Sequence, residues 1–256
     1  MIALLLDIGN SRIKTAIGKD NGIFYVNSFE YSKEYFARDF LKILKSFGKT
    51  VNKLCLPEIA VISSNNNKLK NIIRNNIRNA FDIESLFVNP EIALPIEIDY
   101  EKTLGADRIC SAAGASHLFG NNKNLLVIDY GTATTFNLII KGVFKGGLIS
   151  PGIGTSLRSL VNNSTLPYPK LNSKSKLISN KTLENIKFGV INSAVFTTER
   201  VIAELKKKYK NLVVIATGGF SVIIKKNTKV IDFYSEKLVL ERSEEHTSEL
   251  QSRQVI

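Results

Sequence analysis

The chain has 256 residues, of which 44% are hydrophobic and 23% charged, and its formal net charge is +12. These values exclude a mainly disordered chain and allow one large domain or two small ones. No apolar run approaches the roughly 20 residues of a membrane-spanning helix, no signal peptide is apparent, and the scattered lysines form no basic stripe, so we expect a cytoplasmic protein with neither membrane nor nucleic-acid partners.

The first half of the chain begins with an apolar strand that ends in Asp7. A turn, a strand over 12–17, a Lys-Asp-Asn-Gly hairpin and a strand over 23–29 follow. Phe36, Phe40, Leu44 and Phe47 recur at helical spacing. The pattern further predicts a helix over 32–47, short strands over 58–63 and 86–88, and a polar-faced helix over 68–80.

The second half repeats this plan. An apolar strand ends in Asp129, which lies 122 residues after Asp7, and strands over 132–140 and 143–149 follow it. A long helix is predicted over 183–209, with Ile186, Val190, Ala194, Val201 and Leu205 at helical spacing. A helix over 107–119 marks the break between halves, so we predict two α/β domains, 1–116 and 117–241.

The last residues, 242–256, show neither strand nor helix periodicity. Their opening, RSEEHTSELQS, resembles the translation of a common sequencing-adapter oligonucleotide. We interpret this segment as a non-native tail; the alternative is a natural polar tail.

Both buried strands end in Asp-x-Gly followed by small polar residues. A glycine lets the backbone approach a ligand closely, and successive N–H groups can point at phosphate oxygens. The hydroxyls of Ser11, Thr132, Thr134 and Thr135 can add hydrogen bonds. Carboxylates beside phosphate require a cation between them, so the duplicated turns predict a polyphosphate and a metal. One such turn alone would favour a simple bend after a buried strand.

A third turn, Gly218-Gly219, closes the apolar run NLVVIAT. Two glycines leave room for the base and ribose of a nucleotide. A plain connection from strand to helix is an equally open interpretation of this turn.

Together these motifs resemble the type III pantothenate kinases, which share their fold with actin, sugar kinases and acetate kinase. The residues that carry the resemblance are DIGNSRIK (7–14), LGADR (104–108), DYGTATT (129–135), GGLISPG (146–152), Leu166-Pro167 and ATGG (216–219). The resemblance implies two actin-like, ribonuclease H-like domains, each a mixed sheet with an N-terminal β-meander flanked by helices. It covers nearly all of the chain before the tail.

The activity implied by the resemblance is transfer of the γ-phosphoryl group of ATP to the primary hydroxyl of pantothenate, the first step of coenzyme A synthesis, by a homodimer. Asp107 would accept the proton, and Asp129 would hold a monovalent cation, K⁺ or NH₄⁺, while Mg²⁺ accompanies the nucleotide. ATP would contact Asp7, Ile8, Gly9, Asn10, Ser11, Arg12, Ile13, Lys14 and Thr132. Pantothenate would contact Tyr100, Gly105, Ala106, Asp107, Arg108 and, near the dimer interface, Thr182.

The chemistry of Asp107 can be judged independently of the resemblance. A carboxylate is too weak a base to deprotonate an alcohol outright, but in a loose transition state it need only orient the hydroxyl and accept the proton late. Arg108 can bind a substrate carboxylate with its fork of donors. Without the resemblance, the same residues would be read as a capped helix start with a surface ion pair.

Three features depart from the family pattern. The loop from Tyr100 to Gly105 is shorter, Asn137 stands where the family often has Asp, and the family's terminal helix is missing where the tail begins. Two other functions stay open at this point. One is a non-catalytic relative similar to the Bvg accessory factor, linked to transcription, and the other is a different kinase or phosphatase on the same fold.

Overall fold

The computed structural model describes residues 2–9, 12–19, 22–32, 34–51, 56–91, 95–171, 174–235 and 238. The predicted ATP contacts Asn10 and Ser11 and the predicted tail, 242–256, lie outside the described residues. The chain forms two compact units: one contains described residues of 1–94 and 101–114, the other residues 95–100 and 115–236. We retain the domain boundary after residue 116 as a proposal; both it and the division between the units lie within one helix, Ala106–Phe119.

The first unit is built on a five-stranded sheet in the order β3-β2-β1-β4-β5. Strands β1 and β2 are antiparallel, as are β2 and β3, whereas β4 runs parallel to β1 and β5 parallel to β4. The elements are β1 Ile2–Ile8, β2 Arg12–Lys19, β3 Gly22–Glu30, α1 Phe36–Thr50, β4 Ile59–Ser64, a 3-10 turn Asn67–Leu69, α2 Lys70–Phe81 and β5 Glu84–Phe87.

The second unit repeats this sheet, with one additional strand at its edge, in the order β11-β10-β7-β8-β9-β6. Strands β7, β8 and β9 form the antiparallel meander, β10 runs parallel to β7, and β6 runs parallel to β9. The elements are β6 Glu97–Ile98, β7 Asn124–Tyr130, β8 Ala133–Ile140, β9 Val143–Pro151, α4 Ile153–Asn162, α5 Thr182–Lys208, β10 Leu212–Thr217, α6 Ser221–Lys225 and β11 Phe233–Tyr234. Helix α3, Ala106–Phe119, precedes β7.

The predicted repeat is confirmed because the meander and the parallel strand beside it occur in the same order in both sheets. The predicted fold class is also confirmed, since each unit is a mixed sheet that contains a β-meander and is joined by helices. The helical spacing of the apolar residues in α1 is confirmed as well, since all four predicted side chains, three phenylalanines and Leu44, are buried in the core of the first unit.

Two details differ from the sequence prediction. Helix α1 begins at Phe36 rather than Ser32, because Ser32 instead accepts a hydrogen bond from the Tyr35 N–H in a turn before the helix. In α5 the fully buried stripe runs through Ile191, Val195 and Ile202, while the predicted Val190, Ala194, Val201 and Leu205 pack partly buried beside it.

None of the helices in the described part of the chain combines the length and hydropathy that crossing a membrane requires.

Candidate functional site

The two Asp-x-Gly turns join β1 to β2 and β7 to β8. The Gly9 N–H donates to the Arg12 carbonyl, and the Gly131 N–H donates to the Ala133 carbonyl, both at 3.0 Å. The register places Asp7 opposite Lys14 and Asp129 opposite Thr135. Each turn therefore closes immediately after its aspartate, although the second connection is one residue shorter.

Asp7 lies in a half-buried position with three polar neighbours. Its side chain is 16% exposed, and the Lys14 ammonium nitrogen lies 4.0 Å from its Oδ2. Burial raises the pKa of the Asp7 carboxyl above its ordinary value of 3.8; Lys14 opposes this shift, the negative charge of Asp107 adds to it, and the Ser63 hydroxyl opposes it. The structure thus brings the first turn close to the start of α3, within one unit.

The start of α3 holds Asp107 in a defined orientation. Its Oδ1 accepts a hydrogen bond from the Arg108 N–H at 2.8 Å and another from the Asn65 amide Nδ2 at 2.9 Å. The Asn65 Oδ1 accepts from the Ala106 N–H at 2.7 Å. Asp107 is half-buried, and Arg108 is buried, with 6% of its surface exposed.

Glycine at position 105 leaves room for this arrangement of side chains. A Cβ on Gly105 would lie 2.8 Å from the Asp107 Oδ1 and 3.0 Å from the Asn65 Oδ1. Any side chain there would displace the groups that hold the carboxylate. The glycine of the GADR motif therefore has a structural reason beyond the bend itself.

The second turn is packed tightly by two other glycines of its own unit. A Cβ on Gly152 would lie 2.3 Å from the Gly131 carbonyl oxygen, and one on Gly218 would lie 2.3 Å from the Asp129 Oδ1. The Thr132 carbonyl accepts hydrogen bonds from the Gly152 N–H at 3.1 Å and from the Thr155 hydroxyl at 2.7 Å. Glycine at position 218 thus lets the backbone pass close to the Asp129 carboxylate.

A buried hydroxyl lies on the strand next to Asp129. Thr217 is the register partner of Asp129 between β10 and β7. Its Oγ1 is buried and has no hydrogen-bond partner among the described residues. A carboxylate and a hydroxyl oxygen are hard ligands of the kind that alkali and alkaline-earth cations take, so the donor set fits a cation at this position.

The remaining residues that were predicted to contact ATP or pantothenate differ in burial and in the groups that a ligand could reach. Ile8 and Ile13 are buried in the core, so only their backbone groups are available to a ligand, and Arg12 forms an exposed ion pair with Glu30 at 2.7 Å. Tyr100 belongs to the second unit, where its ring packs edge-on against Phe144 at 5.7 Å. Thr132 precedes β8, and Thr182 is the exposed first residue of α5.

Sequence reasoning missed Asn65. The signal that could have found it is the polar run Ser-Ser-Asn-Asn-Asn at the end of an apolar strand, since such a run at the carboxyl edge of a parallel pair is a common place for site residues. Helix α4 was missed as well, because its N-cap is Gly152, which has no capping side chain.

Comparisons with known proteins show the family of the chain. The family model described as type III pantothenate kinase matches residues 3–204. A type III pantothenate kinase from Petrotoga mobilis is 30% identical over 247 residues, covering 93% of this chain and 94% of that protein. One from Flavobacterium psychrophilum is 31% identical over 251 residues, with coverages of 93% and 95%.

Solved structures with low sequence identity share the fold. A Campylobacter jejuni protein described as a Baf family transcriptional activator is 18% identical, with a TM-score of 0.65, over 97% of this chain and 99% of that one. A ROK hexokinase from Thermus thermophilus is 12% identical, with a TM-score of 0.51, over 95% and 97%.

The close approach of the Gly218 backbone to Asp129 predicts that adding one methyl group at position 218 lowers stability. Gly218 has φ +88°, so Gly218→Ala should lower the free energy of unfolding by about 1–3 kcal/mol through backbone strain, with overlap against Asp129 adding to that loss. Urea unfolding measures the effect. Gly219→Ala is the matched control, because a Cβ there would meet no described residue within 4 Å apart from its chain neighbours, and we expect it to change stability by less than about 1 kcal/mol. Equal stabilities of the two variants would contradict the packing described.

The raised pKa of Asp7 predicts that its charge costs stability. The native state binds this proton more tightly than the unfolded state, so the cost appears as pH rises above 3.8 and is complete once the pH exceeds the raised pKa. Asp7→Asn should therefore increase stability at pH 7.5, and the gain should shrink toward pH 4.5 in urea titrations. The exposed Asp82→Asn is the control. A destabilised Asp7→Asn at pH 7.5 would contradict this assignment.

Proposed function

The chain belongs to the type III pantothenate kinase family, and from this premise we propose how its residues carry out the reaction. It transfers the γ-phosphoryl group of ATP to the hydroxyl of pantothenate, in coenzyme A synthesis. The residue assignment is supported by the position of Asp107. Two hydrogen bonds hold its half-buried carboxylate at the start of α3, and its negative charge contributes to the raised pKa of Asp7.

The first turn, residues 7–14, is proposed to bind the phosphates of ATP. The exposed Gly9 presents no side chain to a ligand, and Lys14 places a cation beside the turn. Asn10 and Ser11 stay predicted contacts. Ile8, Arg12 and Ile13 keep the same proposed role, with the two isoleucines acting through their backbone.

Asp7 fits a magnesium ion that arrives with the nucleotide. The described residues contain no group of three or more His, Cys, Asp and Glu that could hold a metal alone. An ion beside Asp7 would therefore take its other ligands from phosphate oxygens and water, as Mg²⁺ commonly does. When bound, Mg²⁺ neutralises charge on the transferring phosphoryl group.

Asp107 is proposed to orient the pantothenate hydroxyl and to accept its proton late in the transfer. Among the described residues, no donor contacts its Oδ2, whereas Oδ1 accepts two hydrogen bonds. The loose transition state requires only a well-placed acceptor, because the oxygen–hydrogen bond breaks after phosphoryl transfer is advanced. Gly105, Ala106 and Arg108 are proposed to contact the same substrate, with the guanidinium of Arg108 binding its carboxylate.

Asp129 is proposed to hold a monovalent cation, K⁺ or NH₄⁺, and Thr132 to contact ATP. The half-buried carboxylate and the buried Thr217 hydroxyl support the cation assignment. A monovalent ion there would offset the negative charge that the carboxylate adds near phosphate.

We further propose a cytoplasmic homodimer in which Thr182 and Tyr100 contact pantothenate. Ile149, Leu160 and Phe196 expose 64%, 41% and 52% of their surface on β9, α4 and α5 of the second unit. Exposed apolar side chains on neighbouring elements are typical of a subunit contact. A monomer in sedimentation equilibrium at micromolar concentration would overturn the dimer.

Replacing the proposed proton acceptor should stop turnover without removing the nucleotide. We expect Asp107→Asn to lower kcat by about 100-fold or more, with ATP binding by calorimetry unchanged, because Asn keeps the shape but cannot accept the proton. The matched control is Asp82→Asn, an exposed aspartate in a left-handed position that Asn also adopts. Turnover retained in Asp107→Asn would remove Asp107 from this role.

The cation assignment is tested by salt substitution. We expect turnover to fall at least about 10-fold when K⁺ and NH₄⁺ are replaced by a large organic cation at constant ionic strength. Asp129→Asn should lose most of this dependence, measured as the ratio of kcat with and without K⁺. Full activity without either ion would contradict the proposed cation site.

A further inference from the structure

We propose that Asn65 is a positioning residue that aims the Oδ2 atom of Asp107 at the substrate hydroxyl. This inference rests on the proposed function, in which Asp107 accepts the proton. It adds a residue from outside the motifs that resemble the family, on a different segment of the first unit.

The amide of Asn65 uses both of its ends. Its Nδ2 donates to the Asp107 Oδ1 at 2.9 Å, and its Oδ1 accepts from the Ala106 N–H at 2.7 Å. The opposite amide orientation would place the NH₂ group against an N–H donor and the carbonyl oxygen against a carboxylate. The two contacts therefore fix the orientation of the amide. The amide then links the carboxylate to the backbone at the start of α3.

The two oxygens of Asp107 differ because of this contact. Oδ1 accepts hydrogen bonds from Asn65 and from the Arg108 N–H. In the described part of the chain no donor reaches Oδ2. Two donors on one oxygen hold the plane of the carboxylate and leave the other oxygen as the acceptor for a substrate proton. Without Asn65, the Arg108 N–H would be the one donor left on this side chain among the residues that the structure describes.

The fold places Asn65 beside the helix start for a simple reason. It follows β4 directly, and β4 runs parallel to β1 with Ser64 opposite Ile8. Strands β1 and β4 therefore end at the same edge of the sheet, where the Asp-x-Gly turn after β1 also lies. Gly105 leaves the space for the amide, since a Cβ there would lie 3.0 and 3.1 Å from its two polar atoms.

Two substitutions at this position separate the two contacts. Asn65→Asp keeps an oxygen for the Ala106 N–H but cannot donate to Asp107, whereas Asn65→Ala removes both contacts. We expect each to lower kcat by about 10-fold or more, with KM for ATP and pantothenate within about threefold, because misplacing a reacting group mainly affects the chemical step. Rates are normalised to the fraction of protein that binds ATP.

Asn67→Asp and Asn67→Ala are the matched controls. Asn67 is exposed in the same loop, and the structure shows no side-chain hydrogen bond from it among the described residues. Its Asp variant adds the same charge two residues away. We expect kcat of both Asn67 variants to stay within about twofold of the parent.

A double variant distinguishes positioning from a structural role. In the Asp107→Asn background, Asn65→Ala should cause no further loss of kcat, since there is no acceptor left to orient. An additional loss of the same size as in the parent background would overturn the inference. So would a normal kcat in both single Asn65 variants while Asp107→Asn is inactive, and that result would leave the proposed function standing. An active Asp107→Asn would instead remove Asp107 from the role of proton acceptor, and with it the basis of this inference.

Discussion

Both units depend on the same pairing of strands. In each, a strand with an aspartate near its carboxyl end, β1 or β7, pairs with a parallel strand on one side and with an antiparallel hairpin partner on the other. Parallel pairing makes the chains leave the sheet at one edge, so residues that follow β4 and β10 lie beside the turns after β1 and β7. In the first unit this pairing brings Asn65 near the start of α3. In the second it places Thr217 next to Asp129. The chemistry of each turn thus depends on the strand beside it as much as on its own motif.

The fold places the Asp7 carboxylate where burial disfavours its charged form. The pKa of Asp7 is raised by burial, only in part offset by Lys14 at 4.0 Å, and raised again by Asp107. A buried carboxylate with a second negative charge nearby is a favourable place for a cation. The charge on Asp7 therefore lowers stability, and the Mg²⁺ ion proposed to bind there would reduce that cost.

Much of the fold could be predicted from the sequence because its strongest signals are local. The apolar run before Asp7, the phenylalanines of α1 and the repeat at Asp129 depend on short-range patterns, and the structure confirms them. Asn65 was missed because its contact with Asp107 joins residues 42 positions apart, and the polar run that contains Asn65 does not show which side chain it meets. The same holds for the space that Gly218 leaves for Asp129, since an Ala-Thr-Gly-Gly run does not show which atoms approach it.

The small strand β6 has a consequence for how the two units can be separated. Residues 95–100 belong to the second unit although they precede α3, whose first part belongs to the first. The strand covers Val143 and Phe144 of β9, so a fragment that starts at residue 115 would leave that part of the sheet edge bare. Bare edges recruit other strands and promote aggregation. The second unit is therefore not a continuous stretch of the chain. A variant that transplants or permutes this unit must include residues 95–100 as well.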